Sequence, residues 1–438
     1  MLDQFKKTIH LDYPNLSDKK IFLAISGGKD SMVLAHLLFN SDLKYELLHC
    51  NFQLRNLESE EDEKFVRDFA KELNTPVQTI KFDTLKESKV LKTNTQETAR
   101  KLRYDWFNKI HNSNQNSIIL TAHHLDDSIE TFFINLLRGT GVSGIKGINK
   151  KRGPYYRPLL EFTSEQIREY AVENCIKFRE DSSNASDKYL RNNIRHNVIP
   201  ILQNIDDRFK IKMDTFFNEV SSLHTWIKSE VFNFKNSKFY VKDKSTTCQL
   251  NDLCKLNDYF IQKLFEDYGV YRNNLIEFIQ FLTKKTGATF NTKEFRFLIN
   301  RKELIIEPII EGEIIKNFII ERIDFNRTQQ FGPFKLQLVN GNKFTISPNK
   351  LQLDINKVKF PLTLRKWLKG DKIQPFGMRG KKLISDILID NKIDLFKKES
   401  TYIIVDQKGE VIAIPNLLIS EKVKIDYTTN GFIEISTV

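Results

Sequence analysis

Cysteine is scarce in this 438-residue chain, and its four residues, Cys50, Cys175, Cys248 and Cys254, form no Cys-x2-Cys pair. That spacing excludes a zinc ribbon and a dithiol redox motif, and a reducing cytoplasm is the simpler setting. Long apolar runs are missing too. No stretch reaches the roughly eighteen apolar residues of a membrane span, and Met1-Leu-Asp-Gln-Phe-Lys-Lys-Thr-Ile-His10 lacks the apolar core of a signal segment. The expectation is a soluble, cytoplasmic protein with no membrane partner. There is no internal repeat, no low-complexity linker and no Gly-x4-Gly-Lys-Ser/Thr phosphate loop. Negative charge is outnumbered, 56 acidic against 68 basic residues, and the formal net charge of +12 favours a polyanionic partner.

What is present starts with Ile21-Phe-Leu-Ala-Ile-Ser-Gly-Gly-Lys-Asp-Ser31 followed by Met32-Val-Leu-Ala-His-Leu-Leu38. An apolar run of strand length enters Ser26-Gly27-Gly28, and helical apolar spacing leaves Asp30-Ser31. Adjacent glycines let the backbone turn back, and the free N–H groups of the new helix then point at a negative ligand. Ser26, Gly27, Gly28, Lys29, Asp30 and Ser31 together resemble the pyrophosphate loop of enzymes that split ATP between its α and β phosphates. The resemblance implies that the loop cradles the β and γ phosphates and that Asp30 helps hold magnesium.

Further along, Tyr45–Asn51, Pro76–Phe82 and Ser117–Ala122 read as strands, alternating with helices opening at Glu58, Thr95 and Asp126. The alternation predicts an α/β fold, a parallel doubly wound sheet covered on both faces, with ligands at the carboxyl ends of its strands. His49, Asn51, the glycine loop and Ala122–Asp127 all fall there. From about Pro200 the alternation stops. Asp206–Phe234 and Asn251–Phe281 read as helix with aromatics serving packing, closed by a β pair at Glu294–Ile299 and Glu303–Glu307. Beyond about 310, runs at Phe334–Val339, Phe344–Ile346, Tyr402–Val405 and Val411–Ile414 predict a β-rich domain. The expected division is residues 1–205, catalytic, then 206–310, mainly helical, then 311–438, β-rich.

The second chemical signal is Ala122-His123-His124-Leu125-Asp126-Asp127-Ser128-Ile129-Glu130-Thr131. Asp126, Asp127 and Glu130 lie within one helical turn. First-turn carboxylates beside a phosphate site suit magnesium, which prefers oxygen ligands and bridges nucleotide phosphates. His123 and His124 could hydrogen-bond developing negative charge or serve as acid or base.

These segments together resemble the tRNA(Ile)-lysidine synthase family. Its Gly-His-His-x-Asp-Asp-x-x-Glu-Thr element is matched by Ala122–Thr131, with alanine for glycine; its Arg-Gly-Thr-Gly by Arg138–Gly141; its Arg-Pro-Leu-Leu by Arg157–Leu160; and its Ala-Arg-x-x-Arg-Tyr by Ala99–Tyr104. Asp181-Ser-Ser-Asn184 with Arg191-Asn-Asn-Ile-Arg195 resembles a further element, as do Gly370-Asp371, Pro375–Met378, Lys381–Leu383 and Asp386–Asp390 near the C-terminus. One departure is Phe52, where the family's His-x-Asn-His-x-Leu-Arg carries its second histidine. The resemblance implies ATP-dependent adenylation of the wobble cytidine in the CAU anticodon of a minor tRNA(Ile), then attack by free lysine, leaving lysidine, AMP and pyrophosphate. It implies catalytic roles for Asp30, His123, His124, Asp126 and Asp127, a metal site at Asp30 and Asp127, and Arg138 with the loop on the nucleotide. It puts Arg100, Arg103, Arg191, Arg195, Arg379, Lys381 and Lys382 on RNA, with ATP and Mg2+ as cofactors. A homodimer stays open, as do two rival functions, a tRNA sulfur-insertion enzyme of the same loop family and a non-catalytic RNA-binding relic.

Overall fold

Strand β1 (Lys20–Ala24) is the axis of a six-stranded sheet in the computed structural model, which describes residues 1–55, 57–179, 190–310, 317–324, 327–341 and 350–437. The chain divides into two compact units, Met1–Lys228 and Ser229–Val438. In the first, the order is α1 (Leu2–Asp12), β1, α2 (Lys29–Phe39), β2 (Tyr45–Asn51), α3 (Leu57–Glu72), β3 (Val77–Lys81), α4 (Thr84–Leu91), α5 (Thr95–Asn112), β4 (Ser117–Leu120), α6 (Leu125–Leu137) and α7 (Val142–Ile145). There follow β5 (Lys151–Arg152), β6 (Tyr155–Tyr156), α8 (Ser164–Glu173), α9 (Leu190–Asn193), a π-helical turn (Ile194–Val198), α10 (Ile199–Ile205) and the start of α11 (Phe209–Lys238).

The sheet order is β3-β2-β1-β4-β6-β5, parallel except for β5, which returns antiparallel beside β6. Alternation along β1 sorts its side chains. Ile21 and Leu23 face a core with Phe5 of α1, Met32 and Leu34 of α2, Val66 of α3 and Ile167 of α8. Phe22 faces the other side, against Leu48, Ile119, Tyr155 and Phe107 of α5. Helices α2 and α3 therefore cover one face and α5 the other, so the winding reverses between β1 and β4. A crevice at their carboxyl ends is the consequence.

Helix α6 buries Leu125 and Ile129 against Ile194, Ile199 and Phe217, with Phe132, Phe133 and Phe216 around them. Burying each aliphatic side chain contributes about 1.5–3 kcal/mol. The rings of Phe132 and Phe216 meet edge-on with centroids 5.7 Å apart, which gives these aromatics a packing role.

The second unit holds three larger sheets. The strands Tyr240–Lys242, Ser245–Gln249, Glu303–Pro308, Phe295–Asn300 and Thr289–Asn291 form an antiparallel sheet in that order. It covers a phenylalanine core in which the ring of Phe278 lies 4.9 Å from Phe265 and 5.1 Å from Phe297. The expected β pair is its centre, but the expected helix over Asn251–Phe281 is broken into Leu250–Leu253, Asp258–Phe265 and Leu275–Leu282. Asn257 caps the second piece through Phe260 N–H, and Gly269, at φ +81, stops the short 3-10 turn that follows it.

Two further sheets pack face to face. Leu336, Leu338, Leu353, Ile433 and Ile435 of one interleave with Leu362, Leu364, Ile404 and Ile412 of the other. The expected strands at Phe334, Tyr402 and Val411 belong to this sandwich. Phe344–Ile346 lies outside the described residues, as does Asp181–Asn184.

Candidate active site

The glycine loop leaves β1 and is held from three sides. Gly27 has φ +87, and a Cβ there would meet Phe65 and Val66 at an ordinary 3.5 Å, so the backbone angle and not the space calls for glycine. Ser31 Oγ donates to the Gly28 carbonyl at 2.9 Å and accepts from Ser26 N–H at 3.2 Å, while Gly28 N–H donates to Ser26 Oγ at 3.2 Å. Arg179 N–H donates to the Gly27 carbonyl at 3.0 Å, and its guanidinium is pinned to Asp62 at 2.5 Å and Glu61 at 2.9 Å on α3. His49 Nδ1–H donates to the Ile25 carbonyl at 3.0 Å, from inside β2 and not beyond its end. Gly28, as the cap of α2, offers no side chain to the first-turn amides, which are left for an anion. Lys29 Nζ stands 4.0 Å from Asp30 Oδ1.

Opposite stands the head of α6. His124 caps it with extended backbone, and Asp127 Oδ2 accepts the His124 N–H at 3.1 Å. The His124 ring lies among three carboxylates. Its Nε2 is 3.7 Å from both Asp30 Oδ2 and Asp127 Oδ2, and its Nδ1 is 3.6 Å from Asp126 Oδ2. Burial alone would lower its pKa, but Asp127, Asp126 and Asp30 outweigh burial and push it up to about 10. His123, half-buried with Nδ1 2.9 Å from Thr121 Oγ1, is instead lowered to about 4, chiefly by desolvation. One histidine of the pair is thus a cation and its neighbour neutral.

The adjacent aspartates differ as well. Asp126 pairs with the buried ammonium of Lys210 on α11 and accepts Ser164 N–H, at the start of α8, at 2.8 Å. Burial would raise its carboxyl, but His124 and Lys210 hold it well below the usual range. Lys210 also donates to Glu165 at 2.7 Å. Asp127 keeps its other oxygen toward Arg191 and Arg195, at 3.8 and 3.9 Å. Those arginines are fixed by Glu130, whose fully buried carboxylate accepts Arg191 Nε at 2.7 Å and Arg195 Nε at 2.5 Å. Lys210 and Arg179 were not among the expected site residues, and Glu130, expected with Asp126 and Asp127 to suit magnesium, is instead committed to the two arginines. The one local sign for Lys210 is a charge on the apolar stripe Lys210, Met213, Phe217, Val220 of α11.

Asp30, His124, Asp126, Asp127, Arg191 and Arg195 are therefore brought together. Arg138 is not. It ends α6, roughly 20 Å of helix from His124. Arg100 and Arg103 are exposed on α5, one guanidinium over the Tyr104 ring at 5.1 Å and the other over Phe52 at 5.2 Å. Phe52 itself stacks on Phe82 with centroids 5.8 Å apart, so apolar packing occupies the place of the family's second histidine. In the second unit, Lys381 pairs with Glu410 at 3.3 Å and Lys382 with Asp390, while Arg379 is exposed beyond Gly377.

Asp30 Oδ1 is buried without a hydrogen-bond partner, and among the described residues no group of three His, Cys, Asp or Glu side chains forms a ready metal cage. That fits magnesium, which takes one or two carboxylates and completes its shell with phosphate oxygens and water.

A strand, a glycine loop at the N-terminus of a helix and a facing carboxylate-histidine cluster define an ATP-binding domain of the pyrophosphate-loop class, and the family model described as the PP-loop domain matches residues 1–202. The tRNA(Ile)-lysidine synthase of Parabacteroides distasonis is 33% identical over 392 residues, 88% of this chain and 88% of that protein. That of Bacteroides thetaiotaomicron is 32% identical over 425 residues, 95% of each. That of Bacillus subtilis is 27% identical over 439 residues, 92% of this chain and 90% of that protein. The chain belongs to the tRNA(Ile)-lysidine synthase family.

Two outcomes follow. The Lys210 and Asp126 side chains are only 7% and 11% exposed, and removing one member of a buried pair costs about 3–5 kcal/mol. Urea unfolding of Lys210→Met should register that loss; a change below about 1 kcal/mol would place the pair among weak surface contacts. For His124 the folded pKa lies above the ordinary 6.5, so its stabilisation is full below about 6.5 and lost as pH rises through about 10. The stability gap between wild type and His124→Gln should accordingly shrink between pH 7 and pH 10.5, and a constant gap would contradict the charged imidazolium.

Proposed function

We propose that this crevice adenylates the C2 oxygen of the wobble cytidine in the CAU anticodon of tRNA(Ile), and that free lysine then displaces AMP to leave lysidine. Family membership supports tRNA lysidine formation with ATP as the energy source. The observation that carries the reading is the convergence of the phosphate loop and the head of α6, where the His124 ring lies 3.7 Å from both Asp30 and Asp127.

In the first step, attack by the cytidine oxygen on the α phosphorus breaks the bond to pyrophosphate. Negative charge builds on the leaving group, which the α2 amides, Lys29 and the His124 imidazolium are placed to receive. In the second step the lysine amine attacks C2, its proton passes to a carboxylate or histidine of the crevice, and the bond from C2 to the adenylate oxygen breaks, releasing AMP. Neutral His123 offers a hydrogen bond without a competing charge. Arg191 and Arg195, oriented by Glu130, face the same side and suit the phosphates of AMP or of the RNA. Asp30 and Asp127 would hold Mg2+, which when bound supplies charge neutralisation to the phosphates. Asp126, committed to Lys210 and Ser164, acts by positioning. Arg138, Arg100 and Arg103, together with Arg379, Lys381 and Lys382, fit RNA contacts, and residues 206–310 and 311–438 are proposed as tRNA-binding parts beside a catalytic part over 1–205.

Sulfur insertion is the weaker reading. The Cys50 thiol, the one nearest the crevice in sequence, is pushed up to about 12 by burial, and a protonated thiol is no nucleophile.

Incubation of CAU-anticodon tRNA with the protein, ATP and lysine, followed by nucleoside mass analysis, should yield lysidine. Unmodified cytidine with folded protein would sink the proposal, and a thiolated base would favour its rival. Within that assay Asp127→Asn should lose about 10²–10³ in turnover with little change in melting temperature. Asp126→Asn should instead lower the melting temperature. Equal behaviour of the two would remove the division between them.

A further inference from the structure

We infer that Lys284, Lys285, Arg301 and Lys302 form one phosphate-binding surface for the backbone of the tRNA substrate, an inference that rests on the proposed function. The four lie on two separate loops that the phenylalanine-core sheet brings side by side. Strands Thr289–Asn291 and Phe295–Asn300 pair antiparallel, and the backbone contact continues past the strand end. Gly287 N–H donates to the Ile299 carbonyl at 2.8 Å, Ile299 N–H to the Ala288 carbonyl at 3.0 Å and Arg301 N–H to Thr286 Oγ1 at 3.1 Å. The loop after the helix Leu275–Leu282 thus runs beside the turn between Asn300 and Glu303, and all four basic side chains are exposed. Among the described residues no carboxylate pairs with any of them. The nearest acid in sequence, Glu303, accepts instead from Gln249 at 2.9 Å.

The turn also has a backbone angle that makes the surface testable. Asn300 and Glu303 are paired, so Arg301 and Lys302 are the whole of a two-residue hairpin loop, and Arg301 sits at φ +59. Hairpins of this length place glycine, asparagine or aspartate at such an angle, because a larger side chain is strained there. Here the position holds an arginine and the next a lysine, on a turn that runs beside the loop carrying Lys284 and Lys285. Four exposed cations without counter-charges suit the phosphates of a nucleic-acid backbone, which they would bind with release of counterions.

The strained angle makes the idea separable from folding. Arg301→Gly removes the cation and relieves the backbone, so its melting temperature should hold or rise while tRNA affinity falls. In the full chain, Lys284→Gln, Lys285→Gln, Arg301→Gly and Lys302→Gln combined should flatten the log–log salt dependence of CAU-anticodon tRNA binding by roughly 3, about 0.7–0.9 for each lost phosphate contact. The double variant Lys284→Gln with Lys285→Gln leaves the hairpin intact and should flatten the slope by about half as much, guarding against misfolding of the larger set. A slope within one unit of wild type in both variants overturns the surface, as does unchanged affinity in Arg301→Gly. Lysidine formation by wild type is scored separately. Its failure with the slope difference intact would sink the reaction and keep an RNA-binding surface, and its success with unchanged slopes would sink the surface alone.

Discussion

Three carboxylates within one turn of α6 set the terms for the first unit. Asp126 and Asp127 are adjacent and Glu130 follows them by four and three residues, close enough to repel strongly once water is excluded. They coexist because cations surround them and each has a different nearest one. Asp126 takes Lys210 and the first amide of α8, while Glu130 takes Arg191 and Arg195 and disappears from solvent. Asp127 is left with the backbone and ring of His124 and, at a longer distance, the same two arginines. The placement of α8, α9 and α11 against α6 is thus the same arrangement that neutralises its charges, and the phobic contacts of Leu125, Ile129 and Phe217 fill the space between.

From that arrangement the two histidines acquire opposite characters without any difference in residue type. His124 points among Asp30, Asp126 and Asp127, and His123 points at a threonine hydroxyl. Environments that drive neighbouring titratable groups apart are the usual means by which one site offers both a charged stabiliser and a neutral hydrogen-bonding group. The phosphate loop supplies one of the three carboxylates, so the charge on His124 depends on the loop being in place.

Much of this was legible in the residues. Hydrophobic alternation and glycine placement were enough for the doubly wound sheet and for the meeting of the glycine loop with Ala122–Asp127, because both depend on short-range pattern and on the rule for where such sheets bind ligands. What local pattern could not reveal was the division between Asp126 and Asp127. It is decided by Lys210, 84 positions downstream of Asp126. Helices in the second unit were harder to read, since the apolar residues around Ile261, Phe265 and Phe278 repeat at helical spacing on either side of Gly269, where the backbone turns instead. Arg138 was misleading in another way. Its motif follows the acidic cluster closely in sequence, and a helix converts that closeness into distance.

The π-helical turn Ile194–Val198 has a consequence for how this family can drift over time. Arg191 and Arg195 reach the two oxygens of a single buried carboxylate across the junction between α9 and that wider turn. Exchanging side chains on its outer surface changes little. Gaining or losing one residue between the two arginines would swing the second by about 100° around the helix axis and leave Glu130 buried with half its counter-charge. Chain length in this short stretch should therefore be held fixed among relatives that keep the buried carboxylate and both arginines.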